Sequence, residues 1–238
     1  MTPDGRDVAA GPPAPPSGGA WSPLTVLWGM LAVIGVTLIG AAVVGAADPD
    51  MDEETFGLIV QAVFASALFA VPLLLVSGAG RVLAPPSRVG LRRFDLAQGI
   101  GWTFAAYGGF FVFLVIYGLI VQPDPQEIIE EIEQQQDTLK LVALGLLVVI
   151  AAPISEEVFF RGFLFGGLRG RMSFWPAAVI SGLLFGLVHL PGGPLQVPPL
   201  AVFGVLLAWL YERTGSLGPP ILMHAIQNAI SFSYTLSA

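Results

Sequence analysis

Cysteine is missing from the 238 residues, so the chain can form no disulfide, no thiolate metal site and no cysteine nucleophile. Charge is scarce too: 11% of residues are charged, against about a quarter in an ordinary soluble domain. With ten Lys plus Arg and a net charge of −7, nothing would attract a polyanion, and a nucleic-acid partner is excluded. There is no H-E-x-x-H, no G-x-S-x-G around a serine such as Ser155 or Ser181, and no clear internal repeat. What the chain has is apolar surface: 55% of residues are hydrophobic and mean hydropathy is +0.78. This balance rules out a disordered chain or an ordinary soluble enzyme and leaves an all-α, polytopic transmembrane helix bundle.

Charge-free runs place the spans. Thr25 to Ala47 gives 23 residues and Phe56 to Ser77 gives 22, each long enough for a hydrocarbon layer of roughly 30 Å. Leu96 to Val121, Leu139 to Gly170, Phe174 to Leu190, Pro198 to Tyr211 and Leu217 to Leu236 bring the expected total to about seven. The fourth run is expected to break at Pro153. Residues 1-22 read as a disordered, Pro/Gly-rich cytoplasmic tail, with no secretory signal. Residues 23-123 form an N-terminal three-helix region, and 124-238 an interfacial helix followed by the core that carries the chemistry. The interfacial helix starts at Asp124-Pro125-Gln126-Glu127, with Asp as N-cap and Pro at the first position; a substrate lid is the alternative. Arg81, Arg88, Arg92, Arg93, Arg169, Arg171 and Arg213 fall on one set of loops, and the acidic clusters on the other. The positive-inside rule then puts the N-terminus and the Arg-bearing loops in the cytoplasm of a multi-pass protein, expected in a bacterial plasma membrane.

Three charges stand where they are expensive. Glu156, Glu157 and Arg161 lie inside the fourth run, and each costs roughly 2.5 to 3.5 kcal/mol at mid-bilayer even on mild scales. Glu157 and Arg161 are four apart on one helical face and suit a structural ion pair, whereas Glu156 is turned about 100° away and is free for other work. The two histidines, His189 and His224, also lie in apolar runs, with Phe185 one turn before the first and Asn228 one turn after the second. A hairpin turning at residues 172 to 173 sets Glu156 and His189 at equal height. His224 is only seven residues from Leu217 and counts as closer to the cytoplasm unless Pro219-Pro220 start their helix deep in the bundle. A carboxylate and an imidazole on neighbouring helices can activate a water, with His224 and Asn228 as donors to an oxyanion. The competing chemistry is a Zn2+ site with Glu156, His189 and His224 as ligands; metal-free water activation, with no cofactor required, is preferred.

These three spaced motifs resemble those of the CAAX prenyl endopeptidase and bacteriocin-processing family, also called CPBP or Abi. The double Glu with Arg four on is Glu156, Glu157 and Arg161; the Phe with His four on is Phe185 and His189; the His with Asn four on is His224 and Asn228. The resemblance covers roughly residues 139 to 231. It implies an intramembrane endopeptidase in which Glu156 and His189 activate water and His224 with Asn228 stabilises the oxyanion, while Glu157, Arg161 and Phe185 give structural support. Its partners would be membrane lipid and a hydrophobic or lipidated peptide, either prenylated CAAX-type or bacteriocin-like. The aromatic run Tyr107 to Tyr117 reads as packing core, with a lipid-facing entry as the alternative. Two rival functions remain: a proton-coupled transporter, since buried carboxylates and histidines also build proton relays, and a non-catalytic scaffold or immunity protein of the same fold.

Overall fold

The computed structural model describes residues 21–77, 82–121 and 138–237. Over these residues the chain is all-α, with seven helices and no strand. The expected tail before Trp21 and the interfacial helix from Asp124 lie outside the described residues. α1 is Pro23–Ala47, capped by Ser22, whose Oγ accepts from the Thr25 N–H at 3.1 Å. α2 is Glu53–Leu75, capped by Asp52 and carrying Glu53 and Glu54 in its first turn, where acids suit the helix dipole. α3 is Leu96–Val121, and α4 runs from Thr138 to Arg169. α5 is Phe174–Val188, α6 Val197–Thr214 and α7 Gly218–Ser237.

Five of these helices, α1, α2, α3, α4 and the segment containing α6, are long and apolar enough to cross a membrane alone. The protein is an integral membrane protein. α5 has 15 residues, about 22 Å, too short to cross by itself. It ends beside His189, and two short 3-10 turns, Leu190–Gly192 and Pro194–Gln196, lead into α6. α7 is long enough but interrupts its apolar pattern with His224, Gln227 and Asn228.

α4 is continuous through Pro153, against the expected break. Its turns widen to π geometry at Leu147–Ala151, just ahead of the proline, and again at Val158–Phe165. A helix that loses one internal bond can continue in lipid when other helices supply donors to its carbonyls. Here Asn228 donates to the Val148 carbonyl at 2.9 Å, Ser181 to Phe160 at 3.0 Å and Trp21 to Phe163 at 2.8 Å.

α4 sits among α2, α5, α6 and α7, while α1 packs on α2 and α3 on α6 and α7. α5 and α6 approach most closely. A Cβ built on Gly182 would lie 2.6 Å from the Ala201 carbonyl oxygen, and one on Gly186 equally close to that of Val197. Small residues of this kind let two helix backbones meet in a membrane. At one end of the bundle Arg169 forks onto the Glu212 carboxylate, with Nη2 to Oε1 at 2.6 Å, and so joins the end of α4 to α6. At the other end Lys140 bridges Asp52 and Glu54 at the starts of α4 and α2.

The α2–α3 connection does not simply skirt the surface. Its 3-10 turn Pro86–Val89 tucks Val89, fully buried, against Gly162 of α4. Gly90 adopts φ +96°, and its carbonyl accepts from the Leu217 N–H at 2.9 Å. The turn between α6 and α7 is therefore anchored inside the bundle, at about the level of Gly162.

Candidate functional site

That anchor resolves the depth of His224. Going back from Gly162, Glu157 lies five residues, about 7.5 Å, along α4; going forward from Leu217, His224 lies seven residues, about 10.5 Å, along antiparallel α7. The two side chains meet. His224 Nδ1 is 3.0 Å from Glu157 Oε1, and the same oxygen accepts from Arg161 Nη1 at 2.7 Å. Glu157 and Arg161 are completely buried. Arg161 also donates through Nη2 to the Gly204 carbonyl at 3.2 Å, and its guanidinium lies 4.4 Å from the Phe185 ring centroid. Phe185 thus touches the cation on one side and both imidazoles on others, with ring centroids 4.9 Å from His189 and 5.5 Å from His224.

Glu156 faces elsewhere, as the 100° step between successive helical residues requires. It lines a cavity of about 190 Å3 together with Ser155 of α4, His189 at the end of α5, and Gln61, Phe64 and Leu68 of α2. Its Oε2 is buried, has no hydrogen-bond partner among the described residues, and lies 3.8 Å from His224 Nε2. His189 shares the cavity but makes its short contact elsewhere, from Nδ1 to the Phe185 carbonyl at 2.8 Å. A carbonyl only accepts, so His189 carries its proton on Nδ1 and leaves Nε2 as the basic nitrogen. The same logic puts a proton on His224 Nδ1, because the Arg-paired Glu157 carboxylate only accepts. Asn228, one turn beyond, spends one amide hydrogen on Val148 and keeps a second.

Sequence comparisons find similarities over the stretch that carries these residues. Residues 138–230 match the family described as Type II CAAX prenyl endopeptidase Rce1-like. The Rce1-like segment contains all seven residues singled out from the sequence. Over 140 residues the chain is 32% identical to the candidate membrane peptidase YdiL of Bacillus subtilis (strain 168), covering 56% of this chain and 55% of that one. It is 26% identical over 147 residues to a 24.3 kDa protein of Escherichia coli, covering 60% and 66% of the two chains. It is 29% identical over 107 residues to human CAAX prenyl protease 2, covering 37% and 32%. The matches thus span 55% and 66% of the lengths of the first two relatives, less than two thirds of either. No solved structure matches the chain.

The alternative expectation is a zinc site on Glu156, His189 and His224. Among the described residues no group of three His, Asp or Glu side chains is placed to hold a metal ion. Glu156 Oε2 and His224 Nε2 approach to 3.8 Å, and the Nδ1 contacts of both imidazoles leave each Nε2 free, so it is the placement of the three groups rather than their tautomers that falls short of a metal site. As placed, Glu156, His189 and His224 do not form a three-ligand metal site.

The Rce1-like segment does not build the cavity alone, and sequence reasoning passed over the α2 wall. Gln61 is the one amide in the charge-free run of α2. A polar side chain in such a run is costly unless it faces a cavity or a partner, which is the signal that would have found it. Gly182 and Gly186, spaced as G-x-x-x-G, likewise announced the α5–α6 contact. The aromatic run divides. Tyr107 donates to Gln227 Oε1 at 2.9 Å and Phe110 packs on Phe203 at 4.7 Å, whereas Phe111 is exposed.

Proposed function

We propose that this protein is an intramembrane endopeptidase that hydrolyses a peptide bond in a membrane-associated peptide by water activation between Glu156 and His189. One observation carries the proposal: a carboxylate in the middle of an apolar helix lines a cavity shared with an imidazole, and one of its oxygens has no bonded partner among the described residues. Water held there donates one hydrogen to Glu156 and the other to His189 Nε2, which turns its oxygen lone pair toward a substrate carbonyl. Glu156 takes the proton as the oxygen attacks the carbonyl carbon, then passes it to the leaving amine as the C–N bond breaks. His224, held through Nδ1–H on Glu157, in its doubly protonated form offers Nε2–H to the oxyanion, and Asn228 offers its second amide hydrogen.

The Rce1-like match supports the endopeptidase class, and the name of the human relative supports a prenylated CAAX-type peptide as substrate. The Arg-bearing loops support an orientation with the N-terminus in the cytoplasm. The test is cleavage of a farnesylated CAAX-type peptide by purified protein in detergent. Wild type should turn over, before and after exhaustive chelation, and Glu156→Gln should lose about 10³-fold with unchanged folded yield. Turnover surviving in Glu156→Gln refutes the assignment. Proton flux in liposomes without cleavage would make the protein a transporter instead.

A further inference from the structure

We infer that Gln61 is a substrate-binding residue, forming a subsite that grips the peptide backbone about three residues from the scissile bond; this rests on the endopeptidase assignment. Gln61 belongs to α2, outside the Rce1-like segment, yet it lines the same cavity as Glu156 and His189. A peptide drawn into a lipid-shielded cavity must find partners for its own N–H and C=O groups, because no bulk water supplies them. Few are on offer. Ser155 Oγ is bonded to the Ala151 and Ala152 carbonyls, and His189 Nδ1 to that of Phe185. Glu156 and His189 Nε2 are engaged by the reacting water. That leaves the Gln61 amide, half-buried and with no hydrogen bond to any described residue. A carboxamide offers a donor and an acceptor side by side, which matches the N–H and C=O edge of an extended peptide.

Helix counting sets the spacing. The Lys140 bridge to Asp52 puts the starts of α2 and α4 at one level. Gln61 is nine residues beyond Asp52, about 13.5 Å, and Glu156 sixteen beyond Lys140, about 24 Å, so the two lie about 10 Å apart along the bundle. At about 3.4 Å per residue, an extended peptide covers that distance in three residues. The α2 wall between them, Phe64 and Leu68, is apolar and offers side-chain contact alone.

The experiment measures KM and kcat for a fluorogenic farnesylated CAAX-type peptide and a set of analogues, each with one backbone amide replaced by an ester. Wild type should show a KM increase of about tenfold for one analogue, with the ester two to four residues from the scissile bond. Gln61→Met should raise KM for the all-amide peptide by a similar factor, leave kcat within about twofold, and lose the sensitivity to that ester. Gln61→Asn keeps the amide but draws it back by one methylene; it should behave like Gln61→Met, and it decides the matter if the methionine variant folds poorly. Unchanged KM in these variants, or an ester profile identical to wild type, overturns the inference while leaving the Glu156 assignment intact. If wild type cleaves no peptide, or Glu156→Gln still cleaves, the endopeptidase assignment falls and takes the subsite with it.

Discussion

Replacing Glu157 with glutamine keeps the shape of the side chain and removes its charge. In the native bundle its Oε1 accepts from both Arg161 and His224, and both Glu157 and Arg161 are fully buried. Breaking a buried ion pair from one side costs roughly 3 to 5 kcal/mol, because the other charge stays behind unpaired. The Gly204 carbonyl and the Phe185 ring still hold the guanidinium, and the glutamine oxygen can accept one hydrogen bond, so the expected loss is near the lower end, about 3 kcal/mol. Arg161→Met should lose a similar amount. The double variant removes the orphan as well as its partner and should be more stable than the sum of the two losses by about 2 kcal/mol or more. Turnover should not recover with stability, since an uncharged glutamine, able to donate as well as accept, no longer holds His224 Nδ1–H in place; a loss of about 100-fold or more is expected. The chain has no cysteine for thiol dyes, so unfolding is followed by tryptophan fluorescence during SDS titration, with Trp21 stacked on Phe163 as an internal probe. If Glu156→Gln destabilises as much as Glu157→Gln, or the two single losses simply add in the double variant, the division between a supporting and a reacting carboxylate is wrong.

Gly182→Ala should destabilise by roughly 1 to 3 kcal/mol, because the new methyl would sit 2.6 Å from the Ala201 carbonyl oxygen and force α5 off α6. Gly109→Ala is the control in the same assay: a Cβ there meets nothing within 4 Å, and higher helix propensity should leave stability unchanged or slightly raised. The Lys140 ammonium and the Thr55 N–H hold the Asp52 carboxyl well below the ordinary carboxylate range. A depressed folded-state pKa gives stability that is complete above the unfolded value of about 3.9 and is lost as pH falls through and below it. Melting should therefore show a small Asp52-dependent loss below about pH 4, weakened by salt because the pair is exposed and absent in Asp52→Asn. A loss of the same size in Asp52→Asn would refute it.

The helices were legible because a membrane leaves few choices: a charge-free run long enough to cross has to satisfy its own backbone, and that makes it a helix. The relation of Glu156 to His189 was legible too, since one short hairpin joins their helices and residue counting fixes their heights. His224 was not, for counting works only from a known starting depth. Leu217 starts deep because Gly90, more than a hundred residues earlier, accepts its N–H, and no local pattern reports a contact that distant. Pro153 misled for a related reason: local rules treat a missing N–H as a break, whereas the bundle repairs α4 from outside with Asn228, Ser181 and Trp21. Asn228 thereby gains a double bearing on the site. It follows His224 by one turn on α7, and it also holds the widened turn of α4 that lies just before Glu156, so the position of the proposed general base depends on a helix whose shape is set by the residue proposed to steady the oxyanion. The same economy governs Glu157, which neutralises Arg161 and orients His224 with a single oxygen. In a medium that penalises every unpaired charge, few polar groups can be installed, and the proposed mechanism asks those present to serve support and reaction together.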